Sequence, residues 1–290
     1  MRGVLNINKP SGISSYDVIR RLKRILGPRP PDIGHAGTLD PLASGVLLIL
    51  IGEATKISRF LLNFRKEYEA DILFGIETDT DDITGKVTAK STLPVFSEQE
   101  LCKLLRNFTG KNEQIPPSYS ALKKNGIPFY RLARQGIDVK PKPRTVTIYQ
   151  IELISWKPPH ARVRTSVSSG TYIRALARDI GRVAGSAATL SGLVRTRCGQ
   201  FTIDNAFKLS GITSENIIEF LIPIEDALVG MTCFNVSIQT ARRLSQGQKV
   251  RTENAPKTEF GIARTKNRKF LAIVTSKQNE LRPVRIIYID

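Results

Sequence analysis

Asp40 lies in the stretch GHAGTLDPLASGVL, five residues after His35, one of only two histidines in the chain. Leu39 and Pro41 flank it, and glycines stand at 34, 37 and 45. Two chemistries fit a carboxylate in this setting. Pro41 drives Asp40 toward extended backbone and presets the first residue of a following turn or helix. Asp40 could therefore accept from free backbone N–H groups as a helix N-cap. The same loop could instead aim the carboxylate outward as a nucleophile. Spacing leaves both open, with the cap the simpler reading.

Other chemistries lack their residues. The chain has no G-x-x-x-x-G-K-[ST] phosphate loop and no G-x-G-x-x-G after a strand, so no nucleotide cofactor is expected. ETDTDDITG resembles a calcium loop, but Ile83 falls where the third ligand belongs, so a solvated hairpin tip is expected. Cys102, Cys198 and Cys233 lie far apart, with only His35 and His160 beside them, which argues against zinc and for a reducing cytoplasm. No G-x-S-x-G nucleophile elbow is present. What remains is a carboxylate working without metal or cofactor, helped by basic and aromatic residues.

Charge narrows the partner. Forty-four basic against 26 acidic residues give a net charge of +18. Residues 234–290 hold twelve basic and four acidic residues, a net +8, and between Lys123 and Arg144 seven bases face only Asp138. Such a chain favours a polyanion, and nucleic acid fits better than membrane, because no lipidation signal is present. The longest apolar run, GVLLILIG, is strand-sized rather than membrane-spanning. The first residues enter a strand-like GVLNINKP, so no leader is expected.

The elements that must position Asp40 follow from periodicity. SSYDVIRRLKRIL places Val18, Ile19, Leu22, Ile25 and Leu26 on one helical face, with arginines opposite. LLILI reads as a central strand, and EYEADILF alternates so that Tyr68, Ala70, Ile72 and Phe74 share a face. Ser97 and Glu100 form a capping box for a helix running to Gly110, its C-cap. Residues 111–143 look like a basic surface insertion with a short helix near Tyr130. VTIYQIELISW and ARVRTSVS read as strands, the second leading through SGTYIR into a helix carrying Ile173, Leu176, Ala177 and Ile180. Short strands and turns begin near Phe234. The expected class is α+β, a mixed and mainly antiparallel sheet with flanking helices over residues 1–233, followed by a small, mostly β domain over 234–290. The tail is expected to be separable, provided the core does not need it for burial.

Six blocks, NKPSGISSYDV, GHAGTLDPLASGVL, GEATK, QIPPSYSALKKNG, SSGTYIRALARDIG and LVRTRCGQF, stand in the order found in the TruB family. The chain resembles that family through residues 3–230, and its tail resembles a PUA domain through ARRLSQGQKV and PVRIIYID. A serine replaces the commoner threonine in GISSYDV, outside the catalytic blocks. The resemblance implies a pseudouridine synthase fold and a cofactor-free isomerase converting uridine 55 in the T-loop of tRNA. It also implies a monomer whose partner is the tRNA T-arm.

The resemblance assigns roles residue by residue. Asp40 stands for the family's nucleophilic aspartate, and Arg195 for the arginine that pairs with it. Tyr68 stands for a tyrosine that stacks on the flipped uracil, and it is also the nearest candidate to remove the carbon-5 proton. His35 stands for a histidine that enters the T-loop. Lys9 and Pro10 stand for a pair supporting the site floor, and Tyr172 and Arg174 line the same cleft; these five are expected on the RNA-binding side. From the residues alone, Tyr68 could equally be a core tyrosine and His35 a turn histidine. The rival functions are a catalytically idle RNA-binding protein or tRNA-folding chaperone of the same fold and, more distantly, an rRNA-directed synthase.

Overall fold

The strand Lys66–Phe74 forms where the sequence alternates. Lys66, Tyr68, Ala70, Ile72 and Phe74 are buried, and the residues between them are half-buried. It lies near the middle of a ten-stranded sheet in the computed structural model, which describes residues 1–290 except Asn125, Asp138, Lys140, Glu253 and Asn254, and only the backbone of Lys124 and Arg134. Asp138, the acid opposing the 123–144 bases, is therefore outside the described residues.

Across the sheet the order is Phe207–Lys208, Gly3–Lys9, Ser44–Ile51, Ala188–Cys198, Lys66–Phe74, His160–Val167, Arg144–Lys157 and Gly110–Gln114. Ile33–Ala36 pairs beside Ser44–Ile51, and Phe201–Thr202 beside Ala188–Cys198. Two pairings are parallel, Ala188–Cys198 with Ser44–Ile51 and Gly3–Lys9 with Phe207–Lys208; the others are antiparallel. The expected α+β class with a mixed, mainly antiparallel sheet is the fold found. Gly45 makes the central parallel contact possible. It has φ +100° opposite Arg195, and a Cβ there would fall 2.3 Å from the Arg195 carbonyl oxygen.

GVLLILIG is apolar throughout because its strand is buried on both faces. Leu47, Ile49 and Ile51 join a core with the helices Ser15–Ile25, Glu98–Arg106 and Ile173–Val183. Val46, Leu48 and Leu50 point the other way, into a second core that also contains Ile262, Leu271, Ile273 and Ile287 of the tail. The tail is a five-stranded sheet, Thr232–Asn235, Thr258–Arg264, Phe270–Lys277, Glu280–Ile289 and Val250–Arg251, with one helix, Ile238–Ser245. Phe60 meets Phe260 edge-on at 5.3 Å, Lys56 Nζ donates to the Ile287 carbonyl, and Arg2 pairs with Asp290. The proviso on separability is not met, since the ten-stranded sheet uses the tail to bury one face.

Three local expectations change. The helix after Ser97 ends at Arg106, and Gly110, with φ +107°, opens the edge strand Gly110–Gln114 instead. That strand removes 111–114 from the surface insertion. Its GKNEQ sequence has no apolar alternation to reveal it. The acidic hairpin tip is not solvated. Asp81 and Asp82 are buried at 8% and 6% exposure, because Arg178 and Arg174 meet them from the helix Ile173–Val183. No helix among the described residues is long and apolar enough to cross a membrane.

Candidate active site

The Asp40 loop is clamped by the N-terminal segment. Ser15 Oγ donates to the Leu39 carbonyl and accepts from the Leu39 N–H, at 2.9 and 2.8 Å. Gly12 N–H donates to the Pro41 carbonyl, and Ala43 N–H closes a turn on the Asp40 carbonyl. No helix follows Asp40, so its side chain caps nothing. The carboxylate is 39% exposed and faces a cleft of about 560 Å³.

One guanidinium holds it. Arg174 Nη2 donates to Asp40 Oδ1 at 3.3 Å, while Nε stands 2.9 Å from Oδ2 with its proton off that line. The same group donates to the Thr80 carbonyl at 2.7 Å and the Tyr119 carbonyl at 3.0 Å, and Asp82 Oδ2 lies 3.6 Å away. Arg174 is buried, so its charge is matched by two carboxylates and two carbonyls. The ion pair expected of Arg195 thus belongs to Arg174. Arg195, 1% exposed, donates instead to the carbonyls of Val46 and Gly37 and lies across the strand pair from Tyr68. Spacing could not separate the two, because both arginines follow apolar residues and both reach the cleft.

Beneath the loop the floor is cationic. Lys9 is fully buried and donates to the carbonyls of Pro10 and Ile13 at 2.8 and 2.7 Å. Burial, opposed by Asp40 and reinforced by Arg195, brings its ammonium down to about 8. Lys9 cannot face RNA; it supports the loop from below, while Pro10 is exposed. Lys66, also buried, donates to the carbonyls of Leu62 and Phe64, and burial lowers its pKa too. Tyr68 is 7% exposed and lines the cleft, and burial pushes its hydroxyl up despite Arg195. Tyr172 also lines the cleft, its backbone held both ways by Gln114, and burial raises the pKa of its hydroxyl. His35 sits on Ile33–Ala36, outside the cleft lining, with a buried Nδ1 unpartnered among the described residues. Burial, then the Arg195 charge, lowers its pKa and keeps the ring neutral at pH 7.

Residues not singled out from the sequence complete the walls. Thr80, Asp82 and Thr84 form one, and Tyr119, Ser120 and Tyr130 another. A signal for the first was present. Arg174, Arg178 and Arg182 recur every four residues along a helix read only for its apolar face, and 77–82 offers matching acids.

The family model described as TruB family pseudouridylate synthase (N terminal domain) matches residues 23–173. The chain belongs to the TruB family of pseudouridylate synthases. It is 43% identical to tRNA pseudouridine synthase B of Clostridium tetani over 251 residues, covering 87% of this chain and 86% of the relative. It is 36% identical to the Clostridium kluyveri protein of the same name over 291 residues, covering 99% of both. Its fold is that of a chain in the crystal structure of a Cbf5-Nop10-Gar1 complex, with a TM-score of 0.75 over 99% of this chain and 85% of that one, at 24% identity.

Proposed function

We propose that this TruB-family chain converts uridine 55 in the T-loop of tRNA to pseudouridine, with Asp40 as nucleophile, as a monomer in the cytoplasm. The observation that carries the reading is the half-exposed Asp40 carboxylate, held by the buried Arg174 in a cleft whose other carboxylate, Asp82, is buried. The names of the relatives support tRNA as substrate. The cleft volume of about 560 Å³ falls within the ~300–1,000 Å³ typical of small-molecule sites, which suits one extruded nucleotide.

The reaction is an isomerisation. The bond from the sugar to N1 of uracil breaks, the base turns, and a bond forms to carbon 5; the carbon-5 proton is lost and N1 regains one. No group is added and no electron leaves, so the reaction needs proton transfer but no redox partner or group donor. Extruding a stacked base costs a few kcal/mol, which phosphate contacts on a +18 chain and replacement stacking on Tyr68 offset. Tyr68 serves as platform rather than base, because burial outweighs the neighbouring Arg195 charge and keeps its hydroxyl a phenol. The basic tail grips tRNA away from the reacting base. The test is to incubate purified protein with unmodified tRNA and map pseudouridine at nucleotide resolution. Conversion confined to position 55 is expected; tRNA binding with no conversion, or conversion elsewhere, would overturn the reading.

A further inference from the structure

Arg174 and Arg178 stand one turn apart on Ile173–Val183, and each ties together the same two segments. Arg174 donates through Nη1 to the Thr80 carbonyl and through Nη2 to the Tyr119 carbonyl, at 2.7 and 3.0 Å. Arg178 donates through Nη1 to Asp81 Oδ2 and through Nη2 to the Ile115 carbonyl, at 2.7 and 2.8 Å. The two segments carry opposite walls of the cleft, Thr80 to Thr84 and Tyr119 to Ala121. Arg174 touches Asp40; Arg178 makes the second rung of the ladder behind it.

The Asp81 backbone adds an independent sign. Its φ of +60° is left-handed in a non-glycine residue that is buried and anchored by a hydrogen bond from the Leu190 N–H to its carbonyl. Such a conformation is disfavoured for a residue with a side chain and persists where its surroundings over-determine it. Arg178 is the ion partner that does so, itself oriented by Asp179 at 3.0 Å. Arg182, one turn further, is exposed, and its paired acid is Glu77. The ladder therefore spans both walls at 174 and 178.

We propose that Arg178 is a positioning residue for uridine isomerisation: by fixing the 80–82 and 115–119 backbones it aims Arg174, and through it the Asp40 carboxylate. The inference rests on the proposed activity. A planar fork holds acceptors on two separate segments in a fixed geometry that a compact ammonium on a flexible stem reproduces only in part, so lysine restores only part of the function. Displacing a reacting group by ~1 Å costs about 100-fold.

The experiment measures single-turnover conversion at saturating tRNA, tRNA affinity and melting temperature for wild type, Arg178→Met, Arg178→Lys and Arg182→Met. Arg178→Met should lose about 10- to 100-fold in rate with affinity within about threefold of wild type. Arg178→Lys should recover part of that loss, and Arg182→Met should match wild type. A folded Arg178→Met within threefold of the wild-type rate overturns the proposal, as does a rate loss matched by Arg182→Met. Should Arg178→Met fail to fold, Arg178→Lys decides by the same criteria. If wild type binds tRNA but converts nothing, the functional reading has failed, and the brace is then judged by amide hydrogen exchange of Arg178→Lys. Faster exchange in both 78–85 and 115–121 supports it, and unchanged exchange in either segment overturns it.

Discussion

Both faces of the ten-stranded sheet bury an apolar core, and one of them adds a cluster of buried cations at its cleft end. On one, Lys9 and Arg195 lie at 0% and 1% exposure beside Arg174, each satisfied by backbone carbonyls or carboxylates around a half-exposed Asp40. On the other, Val46, Leu48 and Leu50 meet Leu271, Ile273 and Ile287 of the tail in an apolar core. Buried cations add little net stability even when paired, and removing a partner leaves a costly orphan. Burial of apolar surface contributes directly, about 25 cal/mol per Å². Orientation falls to the cationic cleft end of one face, and cohesion to the apolar cores of both, the tail supplying part of the second.

The largest effect should come from removing the tail. A chain ending at Gly230 exposes Leu48, Leu50 and their neighbours and is expected to show no cooperative melt. A truncated protein melting near the wild-type temperature would mean the second core is dispensable. Leu271→Ala asks the same question more gently. The residue is fully buried in the shared core, so a loss of about 2–5 kcal/mol is expected by denaturant titration, with the single-turnover rate of the folded fraction unchanged. A rate loss without a stability loss would erase the distinction between the faces.

A smaller effect depends on pH. Burial, opposed by Arg178 and Arg174, aided by Asp179 and opposed again by Arg182, pushes the Asp81 carboxyl up to about 6. Its folded pKa exceeds the unfolded ~3.9, so the folded state holds the extra proton in between. The stability contributed by this group is fully present below about pH 4 and is lost as pH rises through 6. Relative to Asp81→Asn, wild type should lose up to about 2–3 kcal/mol over that window. A difference in unfolding free energy that stays flat from pH 4 to 7 would place the titration elsewhere.

The faces also differed in how well the sequence announced them. EYEADILF and GVLLILIG declare a half-buried and a fully buried strand, because apolar patterning has a period that local residues carry. Asp40 was legible as a candidate, but not as an aimed group, because Ser15 and Gly12, which clamp its loop, lie more than twenty residues earlier. The choice between Arg174 and Arg195 depends on where two distant backbones bring their carbonyls. The same holds for Asp81 and Asp82: acids at a hairpin tip look solvated until a helix places arginines against them.

The central claim is that Asp40 performs the chemistry while its surroundings only hold it. The direct measurement is the single-turnover rate of Asp40→Asn on unmodified tRNA at saturating protein, with affinity and melting temperature read in parallel. Asparagine keeps the size and one hydrogen bond to Arg174, so folding and tRNA affinity should stay near wild type. The rate should fall by several orders of magnitude, as it does when a nucleophile is deleted. A folded Asp40→Asn protein retaining a tenth of the wild-type rate would contradict the account.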